Sequence, residues 1–143
     1  MTMSELNLGL LMFVPYRAME NRVLEAVRAA GFADFTLAQA RVFQRLQPDG
    51  SRITDLAVGA QITKQTTGFL VDQLERAGYV ERVPDPSDAR AKLVRIAERG
   101  RRANEVAALT VAEVEGEWTE HLGTERARQL RDTLRLLSEI TDI

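Results

Sequence analysis

The sequence predicts a mainly α-helical fold with one small β-ribbon. Helices are indicated by apolar residues that recur every three or four positions along most of the chain. The ribbon is indicated by Tyr79–Val83 and Leu93–Ile96, two stretches rich in valine and isoleucine on either side of a turn-rich segment, Pro84–Lys92. Because two short helices directly precede the ribbon, the order of elements predicts a winged helix-turn-helix, flanked by N- and C-terminal dimerisation helices.

The N-terminal region, residues 5–30, is predicted to be helical because its leucine, valine and alanine residues recur at helical spacing. Pro15 falls inside this pattern and is expected either to kink the helix or to begin a new one. Gly31 ends the segment. Thr36 is the predicted N-cap of the next helix, which leads to a turn at Pro48–Ser51.

The helix-turn-helix is predicted from a short helix, Ile53–Ala60, a turn at Gln61 and Ile62, and a second helix from Thr63 to Arg76. Ala77 and Gly78 end the second helix. A unit of this kind places its second helix in a major groove of DNA and its hairpin tip in the neighbouring minor groove. The second helix is therefore the candidate recognition helix.

A long helix is predicted from Glu98 to Leu122, and a last helix follows Gly123 with Thr124 as its cap. The terminal helices are too apolar to face water, so a partner chain is the simplest cover. We therefore predict that residues 5–30 and 99–143 form a homodimer around a winged lobe at residues 36–98, all within one structural unit, 1–143. The predicted interface residues are Leu10, Trp118, Leu130, Leu134 and Leu137. The alternative is that these helices complete the core of a monomer.

The residue types present exclude several classes of site. The chain has no cysteine and a single histidine, His121, so we expect no disulfide, no metal and no cofactor. It also lacks a glycine-rich phosphate loop and a Ser/His/Asp set, so we do not expect an enzyme. The longest apolar run, Leu8–Val14, is too short to cross a bilayer and follows no basic segment, so we expect a cytoplasmic location.

The net charge of −2 is unevenly distributed along the chain. Residues 41–102 carry 12 Lys and Arg against 8 Asp and Glu, a net charge of +4, whereas the rest of the chain carries 7 against 13, a net charge of −6. Positive charge is therefore concentrated in the predicted helix-turn-helix and wing, as binding to DNA phosphates requires.

The start of the recognition helix carries the first group of candidate DNA-contacting residues. Its outward side is predicted to present Thr63, Lys64, Gln65, Thr66 and Thr67. With Thr63 as N-cap, backbone N–H groups of the first turn can meet a phosphate. Glutamine can pair with adenine, lysine can reach guanine or a phosphate, and a threonine methyl can touch a thymine methyl. The alternative for each residue is a solvated polar side chain.

The hairpin tip carries the second group, Asp88, Arg90 and Lys92. Asp88 and Arg90 are two residues apart and lie on one side of an extended segment, where the carboxylate can hold the guanidinium in a bidentate pair. A narrow A·T-rich minor groove attracts an inserted arginine, and Lys92 adds a nearby phosphate contact. The alternative is an exposed ion pair that contributes little to stability.

Residues 74–100 resemble the signature of the MarR (multiple antibiotic resistance regulator) family. The matching positions are Leu74, Glu75, Gly78, Val80, Arg82, Asp88, Arg90 and Gly100, preceded by Asp55–Ala57 and by Ile62 and Thr63. The resemblance implies a homodimeric winged-helix regulator of transcription, usually a repressor of nearby genes that a small anionic or phenolic ligand releases. It also implies that Arg90 is the minor-groove arginine and that Asp88 supports it.

Three residues depart from the family pattern. Gly68 and Phe69 occupy helix positions where the family more often has polar or basic residues, and Tyr79 replaces the commoner leucine. A glycine inside a helix costs about 1 kcal/mol of helix propensity relative to alanine. We expect Gly68 and Phe69 to affect base specificity rather than the fold, and Tyr79 to be a mild change.

Family members often bind a ligand between the dimer helices and the DNA-binding lobe. The candidate ligand-binding residues are Met12, Phe13, Tyr16, Arg17 and Phe43. A cation and a phenol beside apolar side chains would suit a small aromatic or anionic ligand. The alternative is that most of these residues belong to the core.

The resulting hypothesis is a homodimeric transcriptional regulator that binds double-stranded DNA at a pseudo-palindromic operator. The alternative is a winged-helix protein–protein interaction module without specific DNA binding. The local positive charge and the wing arginine favour the regulator.

Overall fold

The computed structural model describes residues 2–141 and contains six α-helices and two β-strands in this range. In chain order they are α1 (Leu8–Ala29), α2 (Leu37–Phe43), α3 (Ile53–Ala60), α4 (Lys64–Arg76), β1 (Val80–Asp85), β2 (Asp88–Ile96), α5 (Glu98–Leu122) and α6 (Thr124–Thr141). A short 3-10 helix, Met3–Glu5, precedes α1. The predicted fold class, mainly α with a small β-ribbon, is confirmed.

The chain divides into two compact units. The first, which we call the helical unit, comprises the N-terminal segment up to Gly31 and the segment from Val106 onward. The second, which we call the winged unit, is Phe32–Glu105, and the predicted winged lobe at residues 36–98 lies inside it. The last two residues of the predicted dimerisation segment, 142 and 143, lie outside the described residues.

In the helical unit, α1 begins three residues later than predicted because the side chain of Asn7 caps it. The Asn7 Oδ1 accepts a hydrogen bond from the backbone N–H of Leu10 at 2.9 Å. Helix α1 continues across Pro15, so Pro15 does not begin a new helix. At the other end of the unit, Thr124 is the first residue of α6 rather than its cap, and Gly123 precedes it with φ 85°.

The helix-turn-helix of the winged unit has the predicted boundaries. Helix α3 ends at Gln61, which adopts a left-handed conformation with φ 58°. The backbone N–H of Ile62 donates to the carbonyl of Ala57 at 3.1 Å, which closes the turn. Thr63 then caps α4. A turn of only three residues between helices fixes the direction in which α4 leaves α3.

The ribbon is longer than the sequence predicted. Strands β1 and β2 pair antiparallel from Val80 opposite Ile96 to Pro84 opposite Lys92, with an irregularity after Pro84. Segment 84–92 was expected to be a turn-rich tip, but β2 begins at Asp88, so only residues 86 and 87 separate the strands. The strands can extend into this charged segment because the hydrogen bonds between strands join backbone groups. Charged side chains on an exposed hairpin can point into solvent without disrupting these bonds.

The core of the winged unit lies under α2, α3, α4 and the base of the ribbon. Its buried apolar residues are Phe35, Val42, Phe43, Leu56, Ala57, Leu70, Val71, Leu74, Tyr79, Val80, Val94 and Ala103. The ring of Phe35 packs edge-on against Phe43 at 5.3 Å and against Tyr79 at 4.6 Å between centroids. A Cβ at Gly100 would clash with the Tyr79 carbonyl oxygen, so only glycine fits where α5 begins.

Tyr79 anchors a polar cluster that its position in the sequence did not reveal. Its ring is fully buried, and its hydroxyl donates to Oδ1 of Asp34 at 2.5 Å. The guanidinium of Arg99 donates to both Asp34 oxygens at 3.0 Å and to the carbonyl of Ala77 at 2.7 Å, and it lies 4.4 Å from the Tyr79 ring centroid. The cluster therefore joins three segments: the connection before α2, the end of α4 and the start of α5.

Tyr79→Phe should lower the free energy of unfolding by about 1 kcal/mol at pH 7, because it removes one hydrogen bond to a charged, half-exposed carboxylate. The Tyr79 hydrogen bond, followed by Arg99, holds the pKa of Asp34 below its usual range. A lowered carboxyl pKa contributes stability at neutral pH that is lost on acidification. The difference between the two proteins should therefore shrink below about pH 4. Urea unfolding at several pH values measures it.

Tyr16→Phe is the matched control, because the Tyr16 hydroxyl donates to Glu20 at 3.0 Å on an exposed face of α1. We expect a change of only a few tenths of a kcal/mol there. Equal effects for the two substitutions would show that the Tyr79 polar cluster has no special role in stability.

Candidate nucleic-acid interface

The first turn of α4 is exposed and capped. The Thr63 hydroxyl oxygen accepts from the backbone N–H of Thr66 at 3.0 Å. Lys64, Gln65 and Thr66 are all exposed. The remaining N–H groups of this turn and the positive end of the helix dipole therefore face outward beside a lysine, an arrangement that binds phosphate.

Thr67 was predicted to be exposed with this group, but it does not belong to it. Its side chain is fully buried, and its hydroxyl donates to the carbonyl of Thr63 at 2.8 Å. The physical reason is helical phase, because position 67 lies one turn before Leu70 and Val71 and shares their buried face. Thr67 is therefore a core residue rather than a base-contacting one.

The exposed face of α4 continues with Gly68 and Phe69. Phe69 is 58% exposed, whereas the other large apolar residues of the helix are buried. A Cβ added at Gly68 would meet nothing within 4 Å. Neither residue is needed for packing within the chain, so the sequence-based expectation that they leave the fold intact agrees with their surroundings.

The wing shows a different arrangement of Asp88 and Arg90 from the predicted bidentate pair. Oδ1 of Asp88 accepts from the backbone N–H of Arg90 at 3.0 Å. The Arg90 guanidinium comes no closer than 3.9 Å, through Nε, and its side chain is 96% exposed. The bidentate prediction is therefore wrong: Asp88 fixes the backbone at the start of β2, and the Arg90 side chain extends into solvent.

A second carboxylate, Asp85, holds the wing tip, although it was not among the residues predicted from the sequence. It is buried, and it accepts from the backbone N–H and the hydroxyl of Ser87 at 2.9 and 2.8 Å. It also accepts from Arg52, the residue before α3, at 2.9 Å from Nε and 2.7 Å from Nη2. These hydrogen bonds, first those of Ser87 and then that of Arg52, lower the pKa of Asp85.

We call this arrangement the Arg52–Asp85 clamp. It ties the tip of the ribbon to the start of the helix-turn-helix. Close to it, Ser51 and Val94 exchange two backbone hydrogen bonds at 2.8 Å, which attach β2 to the same segment. The Asp-Pro-Ser run is a local signal for the turn at Asp85, but nothing local identifies Arg52 as its partner.

Five arginines of the winged unit are engaged in close ion pairs. The pairs are Arg52 with Asp85, Arg82 with Asp72 and Glu75, Arg95 with Glu81, Arg99 with Asp34, and Arg101 with Glu98. By contrast, Lys64 and Lys92 form no ion pair with any residue in the described range, and Arg90 has only its long approach to Asp88. The cations that an external anion can reach therefore include Lys64 at α4 and Arg90 and Lys92 on the wing.

The comparisons with known proteins agree with this geometry. The model of the MarR family matches residues 33–91. The chain is 32% identical over 94 residues to the transcriptional activatory protein BadR of Rhodopseudomonas palustris, a stretch that is 66% of this chain and 53% of that protein. This chain thus matches about half the length of that curated relative.

Solved structures extend the likeness to nearly the whole chain. CouR from Rhodococcus jostii RHA1, bound to p-coumaroyl-CoA, superposes with a TM-score of 0.73 at 27% identity, covering 96% of this chain and 94% of that one. The transcriptional regulator PA4135 gives a TM-score of 0.74 at 25% identity, with 95% and 98% covered. Residues 33–91 of this chain match the MarR family, and nearly the whole chain has the fold of MarR-family regulators. The MarR-family proteins that it resembles are transcriptional regulators, not enzymes.

The MarR-type ligand candidates fall in both units. In the helical unit Met12, Phe13 and Tyr16 are 41%, 43% and 44% exposed, so the core alternative does not describe them. The Arg17 guanidinium lies 5.6 Å from the Phe13 ring centroid. In the winged unit Phe43 is buried against Phe35, so it belongs to the core, as the alternative proposed.

The predicted dimer residues of this chain lie in the helical unit and are incompletely covered there. Leu130, Leu134 and Leu137 are 44%, 41% and 39% exposed on α6, and Leu10 is 41% exposed on α1. Trp118 and two of these leucines line an open groove of about 360 Å³ between α5 and α6. None of the described helices is long and apolar enough to cross a membrane.

Proposed function

We propose that this MarR-like protein binds double-stranded DNA sequence-specifically, with α4 in a major groove and the wing tip in the adjacent minor groove. One observation carries the proposal. Five other arginines of the winged unit are held in ion pairs, whereas the Arg90 side chain is 96% exposed with only a 3.9 Å approach to Asp88, and the capped start of α4 presents Lys64 and first-turn N–H groups outward. Such groups are the contacts that position a protein on the phosphate backbone.

Each exposed residue has a chemically suited role in this proposal. Lys64 and the first-turn N–H groups contact phosphate, and Gln65 pairs with the N6 and N7 edge of an adenine. Arg90 enters the minor groove, where a narrow A·T-rich segment concentrates negative potential. Lys92 lies two residues further along β2 and contacts a phosphate beside that groove.

We also propose that the protein works as a homodimer. The exposed leucines of α6 and Leu10 support this, because several large apolar side chains on one unit favour a protein partner. A two-fold dimer would present two copies of α4 to half-sites separated by about one helical turn. The operator is then expected to be a pseudo-palindrome.

A repressor released by a small ligand is the regulatory mode that we propose. The relative CouR was solved with an aromatic thioester, p-coumaroyl-CoA, which supports an aromatic ligand. On α1, Arg17 and Tyr16 would meet an anionic group while Met12 and Phe13 contact a ring. Release of a bound operator by aromatic carboxylates, lost in Arg17→Ala, would identify this site. Transcription in vitro from the operator measures the sign of regulation.

The experiment that tests the function is selection of bound fragments from a random duplex library, followed by affinity measurements at several salt concentrations. Enrichment of a pseudo-palindrome, with affinity that falls steeply as salt rises, supports the proposal because phosphate contacts release counterions. Weak binding without sequence preference would contradict it and would favour the protein–protein interaction module.

Asp85→Asn should weaken operator binding about fivefold to tenfold, through loss of the clamp that holds the wing tip. The sign of this effect is informative. Removing a negative charge beside DNA should by itself strengthen binding, so a weaker complex indicates that the position of the wing has changed. Fluorescence anisotropy with the selected operator measures the change.

Asp49→Asn is the matched control, because it makes the same charge change in the winged unit at an exposed residue without a hydrogen bond or ion pair in the described range. We expect equal or slightly tighter binding. If Asp85→Asn behaves like Asp49→Asn, the Arg52–Asp85 clamp plays no part in DNA recognition.

A further inference from the structure

Phe69 is the one large apolar side chain of α4 that the winged unit leaves in water. The apolar side chains on the opposite face, Leu70, Val71 and Leu74, are buried, yet Phe69 is 58% exposed. No aromatic ring or cation of the described residues packs on it. Since a helix of this kind normally presents polar residues to solvent, an exposed phenylalanine at this point marks a contact surface.

The residues around Phe69 indicate what it contacts. Gln65 lies one turn before it and the exposed Thr66 three residues before it, both toward the positive end of α4. Asp72 lies three residues after it, but Arg82 holds that carboxylate at 2.8 Å and so offsets its charge. The ring is therefore isolated on a polar surface whose negative charge is paired.

This pattern fits a nucleic-acid groove better than a protein partner. A protein-binding surface would bring together several apolar side chains, whereas here a single ring stands among polar ones. Gly68, with nothing within 4 Å of a Cβ position, leaves the helix surface beside the ring bare. A bare helix surface allows the backbone to approach a neighbouring macromolecule closely.

We propose that Phe69 is a specificity-determining residue that packs on the C5-methyl group of a thymine in the major groove. The methyl is the apolar group that the base edges display there, and the other readable groups are hydrogen-bond donors and acceptors. The inference rests on the proposed DNA-binding function and adds that the protein recognises one thymine in each half-site. That thymine lies next to the base that Gln65 reads, since the two side chains are one helical turn apart.

The test replaces each thymine of the selected operator, one at a time, by deoxyuridine, which removes only the methyl group. For the wild-type protein, deoxyuridine at one position of a half-site should lower the affinity about fourfold, the contribution of one buried methyl group. Deoxyuridine at the symmetric positions of both half-sites should lower it about fifteenfold. Phe69→Ala should bind the thymine and deoxyuridine operators equally. Phe69→Leu should keep part of the discrimination.

A second measurement separates packing on the methyl group from damage to the fold. Placing 5-methylcytosine in an otherwise unfavourable C·G pair at that position should recover affinity for the wild type but not for Phe69→Ala. The exposed location of Phe69 predicts an unchanged melting temperature for the variant.

The possible failures are distinguishable. If the wild type binds its operator specifically but tolerates deoxyuridine everywhere, the methyl-reading inference is overturned while the DNA-binding function stands. If the wild type selects no sequence at all, both are overturned. If Phe69→Ala discriminates deoxyuridine as the wild type does, another residue reads the methyl group and the assignment to Phe69 fails.

Discussion

Arg90→Ala should weaken binding to the selected operator about 100-fold while leaving the oligomeric state and the melting temperature unchanged. An inserted arginine is worth on the order of 1.4 kcal/mol, a factor of about ten, and a dimer carries two of them. The fold should not respond, because the Arg90 side chain is 96% exposed and makes only a 3.9 Å approach to Asp88.

Two further measurements make this prediction specific. The slope of log affinity against log salt should fall by about 2 when two cations are removed, at about 0.9 for each. The preference for A·T pairs at the flanks of the selected site should also flatten, while the base preferences read by α4 persist. Together these results would place Arg90 in the minor groove.

Arg95→Ala is the control for Arg90→Ala. Arg95 lies on the same strand but pairs with Glu81 at 2.7 Å, and it is five residues away, on the opposite face of β2. We expect only a small loss of affinity for this variant. Equal losses for the two variants would mean that the charge of the ribbon, not the placement of Arg90, governs binding.

The sequence predicts those features that depend on near neighbours. Thr63 and Thr36 cap their helices through hydrogen bonds to residues three positions later. Gly31 and Gly78 end helices with φ of 110° and 84°, a conformation that favours glycine. Each of these helix caps and helix ends involves only residues that are close in the sequence, so the local sequence is sufficient to predict it.

Features that join distant residues could not be predicted in the same way. Arg52 and Asp85 are 33 residues apart, and Asp34 and Arg99 are 65 apart. Many carboxylates in the chain are equally suited to each arginine, and only the tertiary structure of the winged unit selects the partner. The same reasoning explains why Tyr79, read from the sequence as a mild change, forms the buried centre of a polar cluster.

The error at Thr67 is different, because the sequence contained the signal that would have corrected it. Thr67 stands three, four and seven residues before Leu70, Val71 and Leu74, the spacing of one helix face. Its polarity suggested exposure, but its hydroxyl satisfies its own hydrogen bond on the preceding turn. A threonine in phase with a buried stripe should therefore be assigned to the core.

Leu130→Asp should convert the proposed dimer to monomers and abolish specific operator binding. Leu130 is 44% exposed within the chain and lines the groove between α5 and α6 with Trp118 and Leu134. If a second copy covers this face, each dimer would bury two added carboxylates in apolar surroundings, which costs several kcal/mol. A monomer presents only one recognition helix, so cooperative binding to both half-sites is lost.

Leu136→Asp supplies the matched control on the same helix. Leu136 is 66% exposed and lies about 160° around α6 from Leu134, away from the stripe that Leu130 shares. The identical chemical change there should leave a dimer that binds the operator with unchanged affinity. Sedimentation equilibrium measures the mass of each variant, and circular dichroism tests whether the helices remain intact.

Three results can be distinguished by these measurements. A folded, monomeric Leu130→Asp protein beside a dimeric Leu136→Asp protein places the interface on the predicted stripe. Two dimeric variants would move the interface away from α6, and a monomeric wild type would contradict the dimer altogether. Because Leu130 is already partly in solvent, the charge costs little within one chain, so loss of the dimer cannot be attributed to unfolding when the helical signal is retained.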